Sequence, residues 1–359
     1  MVCARLLLCL SAGCLAAGFY PEPAEYFYPE QFLDYKTNDK FLRNENTRIS
    51  IEEQVEWPPE NIFRDIRQVA GVDVDRLGNV HVFHRGDRMW DMRSFKGDNY
   101  QQQELGPIQI DTILILDPSS GQVIRSWGKN RFYLPHGLTL DSHENSWVTD
   151  VALHQVFKFA SNNEEPLLVL GQKFKPGSDR SHFCKPTDVA VSSSGIVFVS
   201  DGYCNSRIIA FKPDGTFHGE FGQQDKMNVP HSLSLIEERK CLCVADRENA
   251  RILCYSLKED GSLGDLTVNN DVPTGAPYAI VDRGEYMLAV TLSYAREGAA
   301  MGITMKLSDG DVINTWHSYE GFSMPHDMAI TSNGTFLYVV DVGKFTAKKV
   351  FKFEINDVI

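Results

Sequence analysis

One unit recurs along this chain, and it limits the fold more than any other feature: an apolar strand opening near Pro, a turn, a second strand ending near Asp, and a third strand rich in Val, Ile and Phe. Its first copy runs over 69–72 and 80–85, its second over 135–138, 147–150 and 155–159. The third covers 186–189, 197–201 and 207–211, the fourth 230–233, 243–246 and 251–255. A degenerate fifth spans 277–280 and 287–290, and the sixth 325–328, 337–341 and 349–353. Counted from the residue after Pro, copies two to six begin at 136, 187, 231, 278 and 326, spacings of 51, 44, 47 and 48 residues. That is the length of a four-stranded propeller blade. Period-2 alternation with Gly, Asn and Asp turns suits twisted antiparallel sheet, and the 3.6-residue period of a helical solenoid is absent. Six copies predict an all-β fold, a six-bladed β-propeller over residues 61–356. The strand that closes the ring cannot be picked out.

The ends read differently. Residues 1–18 carry Arg5 before the apolar run 6–17 and the small residues Ala16-Ala17-Gly18, the pattern of a secretory signal peptide. Residues 19–60, rich in Pro, Glu, Tyr and Asn, read as an N-terminal arm or propeptide. No later run is long and apolar enough to span a bilayer. The mature chain is therefore expected in the secretory pathway lumen or secreted. A net charge of −13 with no basic cluster argues against nucleic acid as a partner. Beyond the leader remain Cys184, Cys204, Cys241, Cys243 and Cys254, an odd number. Two bridges and one thiol are the simplest arrangement in an oxidising compartment, and the count does not say which thiol is left over. Asn333-Gly334-Thr335 is a glycosylation sequon between two strand-like runs.

The chemistry sits on the repeat. His136, His231 and His326 hold the same position in copies two, four and six, each preceded by Pro, whereas Thr187 and Tyr278 occupy it in copies three and five. Alternate blades of a six-membered ring are related by a pseudo-threefold axis, so these imidazoles should converge. Three imidazoles with one open position form a catalytic zinc site, although imidazole also suits iron or copper. Beside the Asp position of other copies stand Arg85, Tyr203 and Arg247, which should rim one mouth of the channel. Two arginines and a divalent metal would favour an ionised tyrosine, and arginine is the natural fork for a carboxylate.

Phe83-His84-Arg85-Gly86-Asp87, Tyr133-Leu134-Pro135-His136-Gly137-Leu138, Val199-Ser200-Asp201-Gly202-Tyr203-Cys204-Asn205-Ser206-Arg207 and Val244-Ala245-Asp246-Arg247-Glu248-Asn249 closely resemble the peptidyl-α-hydroxyglycine α-amidating lyase family. The likeness runs from about residue 55 to 355 and is weakest around residues 294–300. It implies a propeller of NHL-like repeats and a zinc-dependent lyase that cleaves the C–N bond of peptidyl-α-hydroxyglycine to an amidated peptide and glyoxylate. It further implies zinc on His136, His231 and His326, Tyr203 as base, and Arg85 and Arg247 as active-site arginines. Also implied are a structural calcium on the carbonyls of Val72 and Leu138 and the carboxylate of Asp327, and bridges Cys184–Cys204 and Cys243–Cys254, leaving Cys241 as the thiol. The partners expected are hydroxyglycine-ended peptides and a separate peptidylglycine monooxygenase, the lyase itself being monomeric. Two other readings are a metal-dependent lactonase or esterase on the same scaffold, which would favour calcium on Glu, Asn and Asp, and a non-catalytic peptide-binding propeller.

Overall fold

The computed structural model describes residues 49–293, 299–343 and 348–357. The signal segment 1–18, most of the expected arm and residues 294–298 of the fifth copy lie outside the described residues. The rest forms six four-stranded antiparallel sheets, each a blade counted from its inner strand outward. Blade 1 is Val69–Val74, Val80–His84, Ile113–Leu116 and Val123–Trp127. Blade 2 is Pro135–Leu140, Ser146–Asp150, Gln155–Phe159 and Pro166–Gly171. Blade 3 is Asp188–Val191, Val197–Asp201, Arg207–Phe211 and Phe217–Phe221, and blade 4 is Pro230–Ile236, Cys241–Asp246, Arg251–Leu257 and Leu263–Asp271. Blade 5 is Ala276–Arg283, Tyr286–Leu292, Ala300–Lys306 and Val312–Trp316. The chain is a six-bladed β-propeller.

Blade 6 closes the ring. Its inner strands Pro325–Ile330, Phe336–Asp341 and Val350–Asp357 follow blade 5 in sequence, and its outer strand is Ile49–Glu53, which precedes blade 1. The pairing is antiparallel, with Ile49 opposite Asp357 and Glu53 opposite Phe353. The propeller therefore starts at Ile49, not at residue 61, because the sixth sheet needs a fourth strand and Ile-Ser-Ile-Glu-Glu supplies it.

Burial follows strand position. Second strands such as Val197–Asp201 and Ser146–Asp150 are buried throughout, since both faces meet neighbouring blades. The outer strand Val123–Trp127 is exposed except for Trp127. Among the described residues six apolar clusters lie one at each blade junction, and the cluster of Val69, Val72 and Val80 with Tyr338, Val340 and Val350 joins blade 6 to blade 1. Burying each Val, Ile or Phe side chain stabilises the ring by roughly 1.5–3 kcal/mol, so the blades hold one another sideways.

The recurring Asp at the end of the second strand ties loops. Asp150 accepts from the backbone N–H of Tyr133, Leu134, Ala152 and Leu153. Asp201 takes Cys184 N–H and Arg207 Nε, Asp246 takes Asn228 N–H and Arg251 Nε, and Asp341 takes Ser323 and Met324 N–H. Disulfides join Cys184 to Cys204 and Cys243 to Cys254, and Cys241 is a buried free thiol. Asn333 is exposed in the turn between the first two strands of blade 6.

Candidate active site

Each inner strand that opens on Pro carries an irregularity in register just after it: between Pro135 and Leu138, Pro230 and Leu233, and Pro325 and Asp327. Pro has no N–H to give the ladder, and the extra residue of a bulge is freed to point elsewhere. In blades 2, 4 and 6 that residue is histidine. The rings of His136, His231 and His326 meet on the channel axis, with centroids 4.9, 4.5 and 4.8 Å apart, and all three are at most 4% exposed.

The intervening blades orient them. His136 Nδ1 donates to Thr187 O at 2.8 Å, His231 Nδ1 to Tyr278 O at 2.6 Å, and His326 Nδ1 to Ala70 O at 2.7 Å. Thr187 and Tyr278 hold the repeat position of blades 3 and 5, and Ala70 stands beside the same irregularity in blade 1. A carbonyl can only accept, so Nδ1 carries the proton in each ring and each Nε2 presents a lone pair. Burial, with the neighbouring imidazoles and arginines, pushes His136 and His231 well below the usual histidine value and His326 down to about 3. Three neutral lone pairs, their ligand atoms within 4.8 Å of one another, fit a borderline cation such as zinc. Among the described residues, Asp98 with Cys184 and Cys204 is the other grouping of ligand type, but its sulfurs are committed to a disulfide.

Tyr203 stands over the triad. Its hydroxyl lies 3.0 Å from His136 Nε2 and 3.2 Å from His231 Nε2, and Arg247 Nη1 donates to it at 3.4 Å. The Arg247 guanidinium also covers the rings of Tyr203 and Tyr278, at 5.2 and 4.8 Å from their centroids. Burial pushes the phenol upward, and the charges of Arg247 and Arg85 pull it back in part. In the protein alone burial therefore outweighs the arginines. The bridge from Cys204, next in sequence, to Cys184 anchors this loop.

Arg85 is not at the rim. Its residue is 2% exposed, beneath an excursion that blade 1 makes between His84 and Ile113. Nε donates to Pro135 O at 2.8 Å and Nη1 to Gln68 Oε1 at 2.7 Å, while Nη2 is buried with no partner among the described residues. Burial without a carboxylate partner draws this guanidinium down to about 10. Trp90, from the excursion, packs on Tyr203 at 4.7 Å and faces the Arg85 cation at 5.6 Å. Gln68, Trp90 and Tyr278 thus belong to the site. Of these only Tyr278 had a sequence signal, its place in the repeat.

Beside the imidazoles a cavity of about 10 Å³ is lined in part by Asp188 and Asp327. Asp327 accepts from Val72 N–H at 2.9 Å, Asp73 from Leu140 N–H at 2.6 Å, and Asp188 from Leu233 N–H at 2.8 Å, each reaching from one blade to the next. Burial raises all three carboxyls, Asp327 most plainly, and at Asp188 and Asp327 repulsion from the neighbouring carboxylates adds to it. Val72, Leu138 and Asp327 lie on the adjoining inner strands of blades 1, 2 and 6, and Gly71 packs directly on the backbone of Leu138. Carboxyl oxygens lining this channel fit a hard cation such as calcium, which takes oxygen ligands.

Fold and site together define a propeller with three inward imidazoles and a tyrosine poised over them. An NHL-repeat model matches residues 183–211. Solved propellers share the fold: a gluconolactonase from Xanthomonas campestris at TM-score 0.58, 12% identical and covering 81% of this chain and 87% of its own, and a virginiamycin B lyase from Staphylococcus aureus at TM-score 0.51, 15% identical, covering 86% and 89%. In sequence, peptidyl-α-hydroxyglycine α-amidating lyase 2 of Drosophila melanogaster is 38% identical over 80% of this chain and 71% of its own. A probable lyase of the same description in Caenorhabditis elegans is 36% identical over 91% and 93%. The chain belongs to the peptidyl-α-hydroxyglycine α-amidating lyase family. It is also 43% identical to peptidyl-glycine α-amidating monooxygenase A of Xenopus laevis over 85% of its length, but spans only 33% of that longer protein. Among the described residues no helix is long and apolar enough to cross a membrane.

Proposed function

We propose that this chain cleaves peptidyl-α-hydroxyglycine to a C-terminally amidated peptide and glyoxylate, with zinc on His136, His231 and His326 and calcium beside Asp327, Val72 and Leu138. The observation that carries the reading is the Tyr203 hydroxyl placed between two imidazoles whose lone pairs face it. When bound, zinc would act as a Lewis acid that lowers the pKa of the substrate's carbinol hydroxyl. Tyr203 takes that hydroxyl proton, and the positive charge of Arg247 against its oxygen stabilises the phenolate. The carbinol C–O bond then becomes a carbonyl, the C–N bond breaks with its electron pair on nitrogen, and Tyr203 returns the proton there. Atoms balance without water or oxidant. The glyoxylate carboxylate is held by Arg85, whose buried Nη2 has a hydrogen-bond capacity that no described residue meets. Trp90 shields this end from solvent.

The substrate must arrive already hydroxylated, so a separate peptidylglycine monooxygenase is the partner reaction, in keeping with the name of the longer relatives. We place the protein in the secretory pathway, with Asn333 glycosylated. The test is glyoxylate release from a synthetic peptidyl-α-hydroxyglycine by purified protein, before and after chelation with zinc add-back. Release lost on chelation and restored by zinc supports the proposal, and no release by folded, zinc-loaded protein overturns it.

A further inference from the structure

We infer that Gln68 is a positioning residue that sets the carboxylate-binding arginine and the aromatic wall of the site together; this rests on the reaction proposed above. Gln68 is 5% exposed and immediately precedes the inner strand of blade 1. Its Oε1 accepts from Arg85 Nη1 at 2.7 Å and from Trp90 N–H at 3.0 Å. Its Nε2 donates to Val342 O at 3.0 Å, across the seam where blade 6 meets blade 1. Its own backbone carbonyl accepts Arg85 N–H at 2.9 Å.

The carboxamide can stand only one way round. Both lone pairs of Oε1 face donors, and Nε2 faces an acceptor; turned over, the amide would oppose N–H to N–H and oxygen to oxygen. A fixed amide in turn fixes Arg85. With Nε held by Pro135 O and Nη1 by Gln68, the planar guanidinium has no remaining rotation, and Nη2 is the part left to meet a ligand. The same oxygen pins the backbone of Trp90, whose ring contacts Tyr203. One side chain therefore links the cation that receives the substrate's carboxylate, the aromatic cover of the base, and the closure between first and last blades.

An arginine that grips the carboxylate equally in ground and transition states acts on KM more than on kcat. Gln68→Met keeps the volume and removes every side-chain hydrogen bond; in the zinc-loaded protein it should raise KM about ten- to a hundredfold, the scale of one charged hydrogen bond, with kcat changed far less. Gln68→Glu keeps an oxygen facing Arg85 and Trp90 but loses the N–H to Val342 O and sets a negative charge against Arg85, and should also raise KM. A residue that only braced the blade 1–6 seam would instead lower the unfolding midpoint and the active fraction, leaving KM as it was. An unchanged KM in either folded variant overturns the inference. If wild type releases no glyoxylate, the reaction itself is wrong, and the clamp is judged by calorimetric binding of N-acetylglycine. Weaker binding by Gln68→Met than by wild type supports the clamp; equal binding, or none to either, overturns it.

Discussion

Adding one carbon at Gly137 should disarm the metal site without touching a ligand. A Cβ built there lies 2.5 Å from Thr187 O, the carbonyl that receives the Nδ1 proton of His136, and 3.2 Å from Asp188 Cα. An ordinary carbon–oxygen contact is about 3.3 Å, so something must yield by about 0.8 Å. Both atoms are backbone, at Asp188, which opens the inner strand of blade 3, and at Thr187 just before it, so no flexible side chain absorbs the displacement. Moving the carbonyl that far breaks a 2.8 Å hydrogen bond and frees His136 to turn or change tautomer. Loss of such an orienting partner lowers metal affinity about ten- to a hundredfold, and the overpacking costs about 1–3 kcal/mol of stability. Zinc affinity of Gly137→Ala is read by competition with a chromophoric chelator, beside thermal unfolding. Gly302→Ala is the control: its Cβ would collide with the Trp316 ring in blade 5, destabilising the fold away from the triad. The two variants should be comparably destabilised, with zinc affinity reduced only at 137. Wild-type zinc affinity in folded Gly137→Ala would refute the claim that the blade 3 carbonyl orients the ligand.

Two further outcomes follow from the same geometry. Tyr203→Phe removes one oxygen and keeps the ring against Trp90 and Arg247, so zinc content should hold while kcat for glyoxylate release falls about 10²- to 10⁴-fold; a kcat within threefold of wild type would show that Tyr203 is not the base. His84 is fully buried, its Nδ1 accepting from Gly86 N–H, and burial holds its pKa down to about 4. A depressed histidine binds its proton better once unfolded, so it lends stability above about 6.5 that is lost as pH falls towards 4. Between pH 7 and 5 the wild type should lose about 2 kcal/mol more than His84→Asn in denaturant unfolding; parallel losses would contradict this.

What the chain made legible, and what it hid, divides on a physical line. Pro-His in copies two, four and six could be read because ring symmetry converts a repeat spacing into convergence in space. The carbonyls of Ala70, Thr187 and Tyr278 could not, since a backbone oxygen has no residue identity. Arg85 could be singled out by its place beside the Asp position of the repeat, but its depth could not, since the excursion that buries it follows no repeat. Gln68 and Trp90 were invisible for the same reason, their roles existing only once that excursion folds back over blade 1. Ile49–Glu53 is five residues of plausible strand in an otherwise aperiodic segment, and only the unfilled edge of blade 6 reveals its purpose.

That last pairing has a consequence for how the molecule is made. A ribosome delivers Ile49–Glu53 before any complete blade, yet its hydrogen-bonding partner, Val350–Asp357, is made only after the other five blades. Five blades can assemble during synthesis while the sixth stays unfinished, leaving the early strand unpaired until Val350–Asp357 is made. His326 belongs to that sixth blade, so the third imidazole arrives with the clasp. A chain cut short before Val350 would leave that early strand with no partner to meet.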